Sequence, residues 1–364
     1  MNFRRAIGGI HTNLIGKATN RKIVVFESDD WGSIRMPNLS VYNHLLRCGI
    51  PVDLSPYCMF DTLESKYDVE CLLEVLSSVK NQNGNHPRFT ANFVSRNPDF
   101  QRIKNSDFKE YHSLPIIREY EKFSSSDKII DLINNGQSRG LFKPQFHGRD
   151  HVNVPLWLEL LRDNGKFRTA FEFGVWGLSK DVFPKMKKSI QATYHSTDME
   201  YIQESFLEGV LSFKEIFGFQ PKSFIPNNYI FPADLMPFLK ANGVELVQGM
   251  KYLLSPNNIS DAVVRMRRRN GLDAFGVYQT VRNCSFEPTE LGSSANDVMS
   301  QIEMAFMFRK PAIISSHRIN YVSGMSIDNR DRNLRELKSL LDSIVKRWPS
   351  VEFHYSDDVF LNLE

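Results

Sequence analysis

Two short stretches carry residue types that together suit a bound divalent metal. One is the aspartate pair Asp29-Asp30 at the end of an apolar run; the other is His147-Gly148-Arg149-Asp150-His151, with two histidines four apart. Imidazole nitrogens and one carboxylate oxygen suit zinc and similar ions, and a three-residue set leaves a coordination position for water, as catalytic sites do. Neighbouring side chains in extended chain point opposite ways, so the two aspartates are expected to divide labour, one binding the metal and the other accepting a proton from an activated water. Ser315-Ser316-His317-Arg318 follows the apolar run Ala312-Ile313-Ile314. A histidine there suits general acid work, since its ordinary pKa of about 6.5 lets it protonate a leaving amine near neutrality. Arg149 and Asp150 are expected to orient the ring nitrogens of the flanking histidines. These residues read as a metal-dependent hydrolase.

The elements that must position them alternate between strand and helix. Lys22–Phe26, Arg88–Val94 and Leu141–Phe146 are β-branched or aromatic runs, and further strands are expected at Phe167–Phe173, Ser223–Ile225, Val244–Val247, Phe275–Thr280, Ala312–Ser316 and Val351–Tyr355. Helical periodicity marks Asp68–Lys80, Pro155–Asn164, Asp198–Phe217, Pro232–Asn242 and Asn329–Trp348. Strand alternating with helix points to a parallel α/β fold, here a closed or nearly closed barrel. Asp29, Asp30, His147 and His317 each follow a strand, and the carboxyl ends of barrel strands face the active site. Asn97–Ser126 and Gly174–Thr197 read as loop insertions in a single domain spanning 22–364.

The chain has 364 residues, 41% hydrophobic and 24% charged, with a net charge of +3. That is ample material for a large core, and nothing in the charge balance argues for a nucleic-acid partner. The basic cluster Arg265, Arg267, Arg268 and Arg269 reads as a solvated strand end. Cys48, Cys58, Cys71 and Cys284 show no CxxC spacing, which gives neither a zinc ribbon nor a disulfide framework and fits a cytoplasmic chain. No segment approaches about 18 uninterrupted apolar residues, so no transmembrane segment is expected. Residues 1–21 form a basic amphipathic segment with Phe3, Ile7, Ile10 and Leu14 at helical spacing. It is expected to cap the main fold, with peripheral membrane contact through residues 1–20 as the alternative. His44 with Cys48 reads as packing, His195 with Asp198 as a helix start, and His112 and His354 belong to no constellation.

With these motifs assembled, the chain resembles the polysaccharide deacetylase family, the metal-dependent carbohydrate esterases that include chitin and peptidoglycan deacetylases. The family's aspartate-pair motif corresponds to Glu27-Ser28-Asp29-Asp30-Trp31-Gly32, and its paired histidines to His147 and His151. Its Arg-x-Pro-aromatic motif survives only as Phe224-Ile225-Pro226-Asn227, without the arginine that holds the base; its Leu-x-His motif resembles Ser315-Ser316-His317, with serine for leucine. The resemblance spans Lys22 to the carboxy terminus. It implies a distorted (β/α) barrel of the glycoside hydrolase/deacetylase type, with Asp29 as base, Asp30, His147 and His151 as ligands of a divalent metal, zinc first, and His317 as acid.

The reaction so implied is removal of an acetyl group, N-acetyl ahead of O-acetyl, from a sugar or polysaccharide precursor met inside the cell, for instance in surface-polysaccharide assembly. Backbone amides near Asn227 and Asn228 are the expected oxyanion donors. Trp31 is the expected stacking face for a sugar ring, and Asn227, Asn228, Arg149 and Arg318 are candidates to replace the lost arginine. Two alternatives are a metal-dependent amidase acting on a non-sugar substrate and a non-catalytic glycan-binding homologue.

Overall fold

The computed structural model describes residues 3–123, 128–186, 188–257 and 263–360. Its centre is a curled, mostly parallel sheet with helices outside. In chain order the first strands are β1 (Ile23–Trp31), β2 (Phe89–Phe93), the hairpin β3 (Arg96–Pro98) and β4 (Ser113–Pro115), β5 (Phe142–Phe146), β6 (Ser223–Phe224) and β7 (Leu246–Val247). A second hairpin, β8 (Tyr252–Pro256) and β9 (Val263–Arg267), precedes β10 (Gly271–Leu272), β11 (Tyr278–Gln279), β12 (Cys284–Ser285), β13 (Ala312–His317) and β14 (Glu352–His354). The large sheet runs β10-β11-β7-β6-β5-β2-β1-β13-β12, with β14 also paired to β1.

The two ends of the curl meet on one chain segment. Thr280 and Arg282 donate backbone N–H groups to Val247 and Gly249 beside β7, while Asn283 and Phe286 donate to Ile313 and Ser315 of β13. Register then sets the site. Asp29 lies level with His317 across β1 and β13, Phe93 with Phe146 across β2 and β5, and Phe146 with Phe224 across β5 and β6. The residues just past these points therefore share the carboxyl-end rim.

The expected strand Phe167–Phe173 is instead the helix Gly165–Glu172. The side chain of Asn164 accepts from the Lys166 amide at its start, and Phe167, Ala170 and Phe171 share one buried face. Spacing of three and four residues wins over the aromatic content that suggested a strand. The expected insertions are also more than loops. Residues around Leu45, Ile50, Ile103, Trp157, Phe171 and Trp176 form a hydrophobic cluster separate from the main core. This second cluster delivers Trp176 and Gln191 to one side of the rim.

The amino-terminal helix Phe3–Asn13 lies against the helix Ala295–Met307, where Gly9 meets Met304. The expected stripe is described only in part. The side chains of Phe3 and Ile7 lie outside the described residues, while Ile10 and Leu14 are exposed. No helix among the described residues is long and apolar enough to cross a membrane.

Candidate active site

β1 departs from regular strand geometry where its chemistry begins. Its register against β2 shifts between Ser28 and Trp31, and Asp30 adopts a left-handed conformation with φ 74°. A non-glycine residue held there stores backbone strain, commonly at functional sites. The expectation of opposite-facing side chains in an extended pair is thus corrected: both Asp29 and Asp30 line one cavity of about 410 Å³, together with His147, His151, Asn228, Ser315 and His317.

Asp30 Oδ1 stands 3.4 Å from His147 Nε2 and 3.2 Å from His151 Nε2. His147 Nδ1 lies 2.9 Å from the carbonyl of Ile225, which can only accept, so the ring proton sits on Nδ1. In its neutral form the ring then presents the Nε2 lone pair to the carboxylate. Two electron-rich atoms facing each other call for a cation between them, and the three residues fit a divalent metal with N, N and O donors. Burial lowers the pKa of His151, keeping it in the neutral form that a metal needs. Its ring stacks on Trp176 at 5.9 Å. Burial opposes ionisation of Asp30, but the Arg35 guanidinium beside it, foremost among its neighbours, holds this carboxyl well below its usual range. The guanidinium of Arg35 reaches Asp30 Oδ2 at 3.2 Å and Asp61 Oδ2 at 3.3 Å.

Asp29 has different partners. Arg282 donates through both terminal nitrogens, to Oδ2 at 2.6 Å and Oδ1 at 2.7 Å, and Asn92 donates to Oδ1 at 2.8 Å. Burial would raise the pKa of Asp29, yet Arg282 carries it below the ordinary value. His317 Nε2 stands 3.8 Å from Asp29 Oδ2, and its Nδ1 donates to Glu287 Oε1 at 2.7 Å. Burial pushes the His317 pKa down, but Glu287, with Tyr229 and Asp29 behind it, raises it well above 6.5. The pocket therefore holds an ionised carboxylate and a protonated imidazole side by side.

Solved structures with a similar chain course are known. One is provisionally named a polysaccharide deacetylase, from Mycobacterium smegmatis, at 9% identity and a TM-score of 0.46, covering 95% of this chain and 93% of that one. Another is the family 4 acetyl xylan esterase from Clostridium thermocellum in complex with a cobalt ion, at 12% and 0.38, covering 93% and 90%. A third is the PuuE allantoinase, at 11% and 0.46, covering 98% and 96%. No protein-family model and no curated protein matches the chain. At these identities and scores, the chemistry of the pocket is read from its own residues.

Three expected substrate-binding residues do not reach the pocket. Trp31 is fully buried, flanked by Phe89, Phe93, Phe142 and Tyr321, and its indole N–H donates to Ser28 Oγ at 3.0 Å. The left-handed turn at Asp30 sends it into the core, so no sugar can stack on it. Asn227 is buried and donates to the carbonyl of His147 at 2.9 Å, bracing the histidine loop from behind. Arg149 pairs with Asp150 at 2.7 Å and Glu208 at 2.9 Å and lies over Tyr111. Asp150 takes that arginine, the Tyr111 hydroxyl and the Val152 amide, so the pair shapes the loop and touches neither imidazole. Arg318 is also remote from Asp29, committed to Asp61 and Glu64.

The residues that sequence reasoning missed are Arg282, Glu287 and Arg35. Glu287 follows β12 by two residues, but Cys284-Ser285 is too short and too polar to mark a strand in the sequence. Arg282 sits between two-residue strands, in a stretch with no periodicity to place it.

Proposed function

We propose that this protein is a metal-dependent hydrolase that removes an acyl group, most simply the acetyl of an N-acetylated sugar. The observation that carries the reading is the Asp30, His147 and His151 cluster beside an Asp29–His317 pair 3.8 Å apart, all in one cavity. Asp30, His147 and His151 would hold the ion, which when bound polarises an acyl carbonyl and acidifies water. Asp29, kept ionised by Arg282, is placed to take the proton of the attacking water. His317, kept protonated by Glu287, is placed to give a proton to the departing amine. Asn228 and Tyr229 sit at the rim with φ 53° and 59°, a strained turn that presents their polar atoms to the substrate.

The same reading treats 22–364 as one catalytic domain with 1–21 laid along its side, zinc as the resident metal, and a carbohydrate as the substrate. It retains a cytoplasmic setting and a role in preparing surface polysaccharide. A glycan-binding role without catalysis accounts less well for a base and an acid held in opposite charge states.

The test is elemental analysis of the purified protein and its Asp30→Ala and His147→Ala variants, coupled to acetate release from N-acetylated glycans. Near-stoichiometric metal in the parent, lost in both variants together with acetate release, is expected. Absence of metal under metal-replete conditions overturns the site; metal without acetate release overturns the reaction.

A further inference from the structure

The strand that carries the candidate base also carries a second buried carboxylate. Glu27 and Asp29 lie two residues apart on β1, so their side chains leave the strand on the same face. Both are buried, Glu27 completely. Opposite them, Thr280 and Arg282 are likewise two apart, on the segment whose backbone N–H groups pair with Val247 and Gly249. The two pairs meet. Thr280 Oγ1 donates to Glu27 Oε1 at 3.0 Å, and Arg282 Nε donates to Glu27 Oε2 at 2.8 Å.

Arg282 therefore holds two carboxylates by two different edges. A guanidinium presents its N–H groups in a rigid plane, so a carboxylate is gripped either end-on by the two terminal nitrogens or side-on by Nε and one of them. Here the end-on fork takes Asp29, at 2.6 and 2.7 Å, while Nε is held by Glu27. The other acceptors around the terminal nitrogens stand further off: the Tyr229 hydroxyl at 3.2 Å, Ser315 Oγ at 3.3 Å and Gln248 Oε1 at 3.4 Å. Once Nε is released, the side-on edge opens to Asp29 and the terminal nitrogens are free to turn to these neighbours. Either change moves the oxygens of the base. Glu27 closes both alternatives.

We propose that Glu27 is a positioning residue for the base: it fixes the plane of Arg282, and Arg282 in turn fixes the oxygens of Asp29. Glu27 acts wholly through the arginine, and the proposal rests on the hydrolase reading only for what Asp29 does. It also accounts for how the site works with Phe224 and Ile225, and no arginine, before Pro226. An arginine that arrives from another segment has to be aimed. The residue that aims it sits on the same strand as the base it serves.

The experiment joins two measurements, steady-state acetate release from an N-acetylated glycan and the nitrogen–proton correlation resonance of Arg282 Nε, assigned as the signal missing from Arg282→Lys. Glu27→Met keeps the volume and removes the acceptor; Glu27→Gln keeps an acceptor and removes the charge. In Glu27→Met, kcat is expected to fall about 10–100-fold with KM unchanged, because an aimed base is used only in the transition state. The Nε–H of Arg282, slow to exchange with solvent in the parent, should exchange about tenfold or more faster. In Glu27→Gln both readouts should lie closer to the parent than to Glu27→Met. Should the methionine variant not fold, Glu27→Asp, which withdraws the carboxylate by one methylene, takes its place with the same expectation. An unmoved kcat in active, folded Glu27→Met, an unmoved resonance, a rise in KM that accounts for the loss, or a glutamine variant as impaired as the methionine one overturns the proposal. The resonance is read without turnover. In a parent that releases no acetate, a resonance altered in Glu27→Met and restored in Glu27→Gln upholds the anchoring of Arg282 and refutes only the reaction.

Discussion

Arg282 grips both oxygens of Asp29, at 2.6 and 2.7 Å, although the two residues lie 253 positions apart in the chain. The guanidinium fork matches a carboxylate in shape as well as charge, which an ammonium cannot do. Arg282→Lys should therefore keep the charge and lose the grip, reducing kcat/KM by about 10–100-fold. Asp29 has a lowered folded pKa, so its stabilising contribution is present above pH 3.8 and is lost as pH falls through the folded value. The acid limb of the kcat/KM profile should accordingly move to higher pH in the lysine variant. An acid limb that stays in place would show that Arg282 does not tune the base.

Glu287 sets the other limb. It raises the His317 pKa, so His317 stays protonated above its ordinary 6.5, and the stability gained is full below pH 6.5 and lost as pH rises through the folded value. In Glu287→Gln the burial of His317 is no longer offset. The alkaline limb of kcat/KM should fall by about one unit or more. A pH–rate profile with an unmoved alkaline limb would remove His317 from the role of acid.

Metal binding should appear as stability. An ion that binds only the folded chain adds about 2.7 kcal/mol at a free concentration one hundred times its Kd. Urea titrations with and without zinc should show this increment in the parent and in His44→Ala, whose ring packs tilted against Phe173 away from the cavity. The increment should vanish in His151→Ala. If His44→Ala also loses it, the metal is bound elsewhere.

Trp31 and Asn228 were expected to do similar work, and the structure separates them. Trp31→Ala should cost about 3–5 kcal/mol of stability, as for other large core residues, and leave KM of the folded fraction unchanged. Asn228→Gly keeps the left-handed backbone permissive and removes a rim side chain. It should leave stability within about 0.5 kcal/mol and raise KM. Denaturant curves beside substrate titrations decide both cases.

What the sequence revealed, and what it did not, follows the range over which each interaction acts. Asp30, His147, His151 and His317 were legible because short spacings and apolar runs place them at strand ends. The strands themselves were legible where β-branched and aromatic residues cluster, and Phe167–Phe173 misled because aromatic content mimics a strand when the face it serves is helical. The partners of Asp29 and His317 were not legible, since Arg282 reaches Asp29 from the segment where the ends of the sheet meet. Trp31 was misplaced because a single left-handed residue before it reverses which way it points. Backbone strain at a non-glycine residue leaves no compositional trace.

Behind Asp30 lies a line of buried charges of alternating sign: Arg35, Asp61, Arg318 and Glu64, the last accepting the Gly32 amide and the Tyr120 hydroxyl. Arg318 is wholly buried, and removing it leaves Glu64 without its cation and Asp61 with Arg35 alone. Arg318→Met should cost about 3–5 kcal/mol, most of it the penalty of unpaired charge and little of it lost packing. That diagnosis has a separable consequence. Replacing Glu64 by Gln in the same chain removes one orphaned anion, so the double variant should be more stable than the sum of the single changes by about 0.5–3 kcal/mol. Because Asp61 also holds Arg35 against Asp30, zinc affinity should drop in Arg318→Met and recover only in part in the double variant. Strict additivity in urea unfolding would mean that the charges are screened from one another and that the line does not act as a unit.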